Sequence, residues 1–390
     1  MKMKTLLAAF FMLFSCQMFA QAVIETYTYG EDLREYTLYV PSIYETSNEA
    51  VPLILALHGL GDSNENFSNV GFHNVADTAN AIVVTPEAVQ SFLGTAWNNG
   101  ANVAGIALNQ GVDDVGFLSS LIDSMQARYH IDSTRIYVTG FSMGGMMTQK
   151  LACDLNHRVA AIASVAGTLP LLTSDDCAAE RPIAVMHMHG TADGTISYTD
   201  GAFLGLNSVD ATIDFWKNRL ACNPMAEETA LPDVANDGYT VDKFLYSDCD
   251  AEKEVLLYRI NEGPHTWLSP SNDIFATEEI WNFLSSHTLS EVPEPIDTSA
   301  VGIADASLAK NVKVYPNPFD ENLVIDIADA NDILAINILN AVGQTVSSIE
   351  IKNNWSTRQS INTSDLMAGV YFVQIVGRNG KSDVLPVVKR

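Results

Sequence analysis

No stretch constrains this chain more than Arg135-Ile136-Tyr137-Val138-Thr139-Gly140-Phe141-Ser142-Met143-Gly144. A β-rich run enters Gly-x-Ser-x-Gly, and Met146-Met147-Thr148-Gln149-Lys150-Leu151-Ala152 reads on as a helix predicted to begin near Gly145. A serine held between a buried strand and a helix occupies a very sharp, strained turn, with its hydroxyl projecting from the sheet edge. The residues two before and two after it must be small for the chain to turn so tightly. The helix that follows directs its N-terminal N–H groups at the reaction centre.

Such a serine is a nucleophile only if a base takes its proton and an acid orients the base. In elbows of this kind the partners follow the serine in the order Asp or Glu, then His. Of eight histidines, only His265 and His287 follow the candidate acid. Pro182 to His189 reads as a buried strand and Gly190-Thr191-Ala192-Asp193-Gly194 as the loop after it, so Asp193 lies at a strand's C-terminal end, where open α/β sheets place their sites. Val255 to Ile260 is another strand, leading into Asn261-Glu262-Gly263-Pro264-His265, which puts His265 on the equivalent loop. His287 ends the amphipathic helix Thr277 to Ser286, where a solvated residue is expected. One Asp in a Gly-rich loop is ordinarily a turn former. Three residues in the required order, each at the end of a strand, point to a triad of Ser142, Asp193 and His265.

An oxyanion hole is the fourth element. Pro52 to Leu57 is a continuous apolar strand followed by His58-Gly59-Leu60-Gly61-Asp62, whose glycines let backbone N–H groups turn inward. Leu60 N–H and Met143 N–H are the expected donors. His58 precedes the serine and reads as a structural hydrogen-bonding residue. Trp97, in Thr95-Ala96-Trp97-Asn98-Asn99, and Trp267, two residues past His265, are candidate walls of an acyl pocket. Asp113 and Asp114 read as caps of the helix they open.

Taken together, HGLGD, the run from Val112 to Cys153, SVAGTLP, HGTADGTISY and GPHTW resemble the secreted polyhydroxybutyrate-depolymerase and feruloyl-esterase-like group of α/β-hydrolases over residues 23–290. The resemblance implies a doubly wound α/β sheet and an esterase with Ser142 as nucleophile, Asp193 as acid and His265 as base. The chain departs from that group at Pro264, where Gly is frequent, and at Leu268, where Pro is frequent.

Residues 1–22 carry Lys2 and Lys4, an apolar run from Leu6 to Phe14, and Ala20-Gln21-Ala22 as a cleavage site. This is the pattern of a secretory signal, too short in its apolar core to span a membrane, and no other stretch is long enough for a transmembrane segment. Beyond Cys16, four cysteines remain in an exported chain: Cys153, Cys177, Cys222 and Cys249. Three pairings are open to them, and the sequential one is favoured because Cys153 and Cys177 flank one βα unit while Cys222 and Cys249 close one insertion. No Cys-x-x-Cys spacing suggests zinc, and the sequence predicts neither a metal site nor a cofactor.

Net charge is −26, and it is uneven: residues 23–310 hold 12 Lys and Arg against 39 Asp and Glu, residues 311–390 hold 7 against 8. An acidic catalytic half argues against nucleic acid or an anionic membrane surface as partner. A Pro- and acid-rich linker is expected over residues 291–310. Residues 311–390 then show short alternating strands, Val312 to Tyr315, Leu323 to Ile327, Leu334 to Ile338 and Val370 to Val376, which read as a small all-β sandwich. VYPNPFDENLVIDI, ILNAVGQTV, SDLMAGVYFVQI and VLPVVKR resemble the C-terminal sorting domain of type IX secretion substrates of Bacteroidota. That resemblance implies the type IX machinery as a partner, export across the outer membrane, removal of the domain, and release or surface attachment.

The expectation is therefore a secreted serine esterase acting on feruloyl or short acyl esters of polysaccharide, or on short-chain polyester. A surface adhesin with an inactive hydrolase core, or a peptidase or lipase on the same fold, is the alternative.

Overall fold

The computed structural model describes residues 22–103, 106–177 and 181–289, and residues 312–389 apart from 317–318, 328–332, 341–344, 351–357, 365, 367–368 and 379–381. The chain falls into two compact units, Met1–Pro293 and Glu294–Arg390. The proposed linker and all of the proposed signal except Ala22, which opens β1, lie outside the described residues.

The first unit is built on ten strands: β1 (Ala22–Tyr29), β2 (Asp32–Tyr39), β3 (Val51–Leu57), β4 (Ile82–Pro86), β5 (Ile131–Phe141), β6 (Ala161–Val165), β7 (Ala184–Gly190), β8 (Glu227–Ala230), β9 (Thr240–Tyr246) and β10 (Val255–Asn261). Their order in the sheet is β1-β2-β4-β3-β5-β6-β7-β10-β9-β8. From β4 to β10 every neighbouring pair is parallel, and antiparallel strands flank them on both sides. Parallel strands buried on both faces read as unbroken apolar runs, and β3, Val-Pro-Leu-Ile-Leu-Ala-Leu, is buried throughout.

Side-chain alternation then assigns the faces. Leu53, Leu55 and Leu57 join Val185, Val255 and Leu257 in a core covered by α2 (Asp114–Arg128), α3 (Met143–Asp154) and α4 (Val209–Arg219). Ile54, Ala56, Met186, Met188, Leu256 and Tyr258 face the other way, under α1 (Phe72–Ala79) and α5 (Ala276–Ser285). This is the doubly wound sheet that the sequence predicts. Because β5, β7 and β10 run parallel, the loops carrying residues 142, 193 and 265 emerge at one end of the sheet.

Two details differ from the sequence reading. Helix α3 begins at Met143, two residues earlier than expected. His287 is buried rather than solvated: its ring packs 4.8 Å from that of Phe283, its Nε2 lies 3.3 Å from Glu254 Oε1, and its carbonyl accepts from Tyr137 Oη at 2.8 Å. The end of α5 seats on the sheet instead of fraying.

Cys153 pairs with Cys177, and Cys222 with Cys249, closing loops of 24 and 27 residues. Each cross-link limits the unfolded chain and contributes about 3 kcal/mol. Alkylation of unfolded, unreduced mature protein is expected to add no mass. A Cys222→Ser/Cys249→Ser double variant should unfold at lower denaturant, and an unchanged midpoint would contradict the assignment.

In the second unit, Val312–Tyr315, Asn322–Ile327 and Arg358–Asn362 form one antiparallel sheet, and Thr345–Glu350, Ile333–Leu339, Gly369–Gly377 and Ser382–Lys389 form another. Leu323, Ile325 and Ile361 of the first share a core with Ile336, Val373 and Ile375 of the second, which makes the unit a small β-sandwich.

Candidate active site

Ser142 lies between β5 and α3 at φ 54°, ψ −118°, a conformation that L residues rarely adopt. Its N–H is tied to Val165 O at 2.8 Å, and its carbonyl accepts from Met146 N–H at 2.9 Å. The flanking glycines are sterically required. A Cβ on Gly140 would stand 2.4 Å from Gly144 O, and one on Gly144 would stand 2.1 Å from Leu57 O and 2.5 Å from His58 O. Helix, elbow and β3 thus meet backbone to backbone.

The loops carrying Asp193 and His265 are stitched to each other in the same way. A Cβ on Gly190 would lie 2.1 Å from Gly263 O, and Ala192 N–H donates to that carbonyl at 3.0 Å. Thr191 N–H donates to Ile260 O at 2.8 Å, and Glu262 N–H to Thr191 Oγ1 at 2.8 Å. Neither glycine's role was legible in the sequence, because it depends on the contact between two loops 70 residues apart. The result is a 2.7 Å hydrogen bond from His265 Nδ1 to Asp193 Oδ2.

Asp193 is 6% exposed, and its other oxygen accepts the N–H groups of Thr195 and Ile196, both at 2.8 Å. Burial opposes ionisation of this carboxyl, but hydrogen bonds from His189, His265 and the Ile196 backbone outweigh it and hold Asp193 well below the usual carboxylate range. A fixed anion beside Nδ1 leaves His265 with Nε2 free to take a proton.

Gly59, Leu60, Ser142, Met143 and His265 line one cavity of about 410 Å³. In the HGLGD turn, Gly61 N–H is bound to Thr95 O and Asp62 N–H to Gly59 O, while no bond among the described residues takes the Leu60 or Met143 N–H. His58 shapes this turn. It is fully buried, its Nδ1–H donates to Gly59 O at 2.7 Å, and its Nε2 accepts from Ala88 N–H at 3.0 Å, which fixes a neutral tautomer. Burial pushes its pKa down, partly offset by the Gly59 carbonyl.

Neither tryptophan lines this cavity. Trp97 is fully buried, donates from Nε1 to His58 O at 2.9 Å and packs on the His58 ring, so it supports the HGLGD turn from behind. Trp267 packs edge-on against Phe67, Phe72 and Phe141 and donates to Thr277 Oγ1, on the α1/α5 side of the sheet. The apolar wall comes instead from Ala101, Met146, Ile196 and Leu204, which form a small cluster with Leu206. Asp62 and Asn102 add polar groups to the lining. These positions come from three separate connections and a helix, and no local pattern announces them. Asp113 caps α2 through Gly116 N–H at 2.8 Å, but Asp114 does not cap: it is buried, paired with Arg34 at 2.8 Å, and accepts from Asn98 N–H.

A strained serine elbow, an Asp–His pair on neighbouring loops and a doubly wound sheet together define an α/β-hydrolase. The comparisons agree with that class. Residues 39–227 match the phospholipase/carboxylesterase family, and residues 313–388 match the secretion system C-terminal sorting domain. A bifunctional acetylxylan esterase/xylanase of Neocallimastix patriciarum is 30% identical over 272 residues, covering 69% of this chain and 35% of that one. Feruloyl esterase B of Piromyces equi is 28% identical over 224 residues, covering 56% and 40%. A poly(3-hydroxybutyrate) depolymerase of Ralstonia pickettii is 31% identical over 155 residues, covering 37% and 31%. The chain thus spans about a third to two fifths of the length of these curated relatives. The chain has the α/β-hydrolase fold, is similar to the feruloyl-esterase and polyhydroxybutyrate-depolymerase group, and carries a C-terminal match to a sorting domain that marks it for export. Among the described residues no helix is long and apolar enough to cross a membrane.

Proposed function

We propose that the protein is a secreted carboxylic-ester hydrolase working through an acyl-enzyme on Ser142. The observation that carries this reading is the 2.7 Å Asp193–His265 bond, with His265 and Ser142 lining the same cavity. His265 Nε2 takes the serine proton as Oγ attacks the ester carbonyl. The carbonyl oxygen gains charge and is met by the Leu60 N–H of the HGLGD turn and the Met143 N–H at the α3 N-terminus. His265 then protonates the departing alcohol, and water repeats the sequence in reverse to release the acid. Asp193 stays ionised throughout and holds the imidazole in one tautomer.

The cavity favours a compact, uncharged acyl group. Its volume is at the small end for ligand sites, its wall is Met146, Ile196 and Leu204, and Asp62 is the carboxylate on its lining. Acetyl or hydroxycinnamoyl esters of plant polysaccharide fit best, in keeping with the names of the fungal relatives, and short-chain polyester comes second. Export by the type IX machinery, followed by loss of the sandwich, would deliver the hydrolase to such polymers outside the cell.

A panel of p-nitrophenyl acetate, methyl ferulate, a 3-hydroxybutyrate oligomer and p-nitrophenyl palmitate tests this. The first two should show kcat/KM about 10²-fold above palmitate. Preference for palmitate, or hydrolysis of none, would overturn the substrate reading.

A further inference from the structure

Behind Asp193 lies a second histidine that the reaction above does not use. His187 and His189 alternate along β7, so both side chains point to the face covered by α4, and both are buried, at 0% and 1% exposure. His189 Nε2 lies 2.9 Å from Ile196 O and 3.3 Å from Asp193 Oδ2. Its Nδ1 lies 3.1 Å from His187 Nε2. Among the described residues His187 Nδ1 has no hydrogen-bond partner.

These contacts decide where the protons sit. Ile196 O and the carboxylate can only accept, so His189 Nε2 carries hydrogen and shares it between them. For Nδ1 there are two arrangements. If it accepted nothing and instead donated, His187 would be left with a buried N–H pointing at no partner. If it accepts from His187 Nε2–H, the orphan is a lone pair, which costs less. The second arrangement gives two neutral rings in a directed chain, each donating towards Asp193. Burial, with His189 alongside, pushes the His187 pKa well down, which agrees with that neutrality.

We propose that His189 is a positioning residue of the hydrolase, fixing the Asp193 carboxylate through a second imidazole N–H on the same Oδ2 that receives His265. The inference rests on the esterase reading of Ser142, Asp193 and His265. Asp193 Oδ1 accepts from two backbone N–H groups and Oδ2 from His265 at 2.7 Å, with the shared His189 Nε2–H 3.3 Å from the same oxygen, so donors converge on both oxygens and restrict the carboxylate. Sharing Oδ2 also spreads its charge. Without the His189 donor, more of that charge falls on His265, and the carboxylate itself takes up a proton more readily. A carboxylate that holds its charge less firmly moves the acid limb of the activity profile to higher pH.

Other ionisable groups flank this face, and they should stay constant in the test. Tyr198 meets the His189 ring edge-on, and burial raises its pKa to about 12, with Asp210, Arg259 and Tyr246 nearby. Arg259, the register partner of His189 on β10, is paired with Asp242 at 2.7 Å.

The test compares His189→Gln with His189→Asn. A Gln amide nitrogen reaches the place of Nε2, while that of Asn falls short, and both keep a polar group in the site. Active serine is titrated with a fluorophosphonate probe so that kcat is expressed per competent site. His189→Asn is expected to lose between about 10- and 100-fold in kcat, the range of one hydrogen bond to a charged group, with KM within about twofold and the acid limb at higher pH. His189→Gln should recover most of the kcat and the wild-type limb. An Asn variant with wild-type kcat and limb overturns the inference, as does a Gln variant no better than Asn. If His189→Asn does not fold, His189→Gln alone decides it, since a loss equal to that of a donor-free site contradicts the role. Wild-type protein that takes no probe overturns the esterase reading itself, whatever the variants do.

Discussion

Replacing Ser142 by alanine is expected to lower ester hydrolysis by about 10⁴- to 10⁶-fold while leaving thermal unfolding almost where it was. The loss is large because nucleophile, base and acid act as one unit, so removing the first leaves only binding and the oxyanion donors. The stability is unchanged because the hydroxyl makes no hydrogen bond among the described residues: the elbow is held by the Ser142 N–H and carbonyl, which alanine retains. Alanine also retains the strain of φ 54°, ψ −118°. Glycine does not, so Ser142→Gly should be equally inactive but more stable than Ser142→Ala, by about 1 kcal/mol. A calorimetric comparison of the two inactive variants separates strain stored at the nucleophile from chemistry done by it. Equal stability would show that the turn is not strained.

The second large effect is structural. Gly144→Ala places a methyl group 2.1 Å from Leu57 O and 2.5 Å from His58 O, both backbone atoms with no side chain to swing aside. Either α3 tilts off the sheet or β3 gives way, and both movements displace Met143 N–H from the HGLGD turn. The expected cost is about 4 kcal/mol or more, at the extreme of single substitutions, with activity lost even in the fraction that folds. Gly194→Ala is the control: nothing lies within 4 Å of its added Cβ, and its stability should change by no more than about 0.5 kcal/mol. Similar denaturation midpoints for the two variants would refute the close-packing account of the elbow.

Gly140 and Gly144 also show why the elbow could be read in advance. Its requirements are local: small residues at fixed offsets from a serine, a β-branched run before and a helix after. The order of acid and base added a long-range rule that needed no coordinates, and the apolar runs of β3 and β7 identified themselves because both faces of a parallel sheet are buried.

What stayed hidden depends on contacts between distant loops or on exposed edges. Trp97 and Trp267 were expected in the pocket because they flank its motifs in sequence. Large aromatics are equally suited to the packed interior: Trp97 supports the HGLGD turn from behind, and Trp267 packs against Phe67 on the α1/α5 side of the sheet. The wall of Ala101, Met146, Ile196 and Leu204 has no shared periodicity to reveal it. Strand β8, Glu-Glu-Thr-Ala, is exposed along its whole length and carries no apolar signal. In the sandwich, Thr345–Glu350 and Arg358–Asn362 were missed for the same reason, their sequences being largely polar. The alternation of His187 and His189 inside an otherwise apolar strand was visible, and two imidazoles on one buried face are a signal that polar groups must be satisfied there.

The central claim is that this fold activates one serine. Labelling the mature protein with a fluorophosphonate and mapping the adduct by peptide mass spectrometry tests it most directly. The account predicts one adduct per molecule, on the peptide containing Ser142, absent from Ser142→Ala and strongly slowed in His265→Ala. No adduct, or an adduct on another serine that persists in Ser142→Ala, would contradict it.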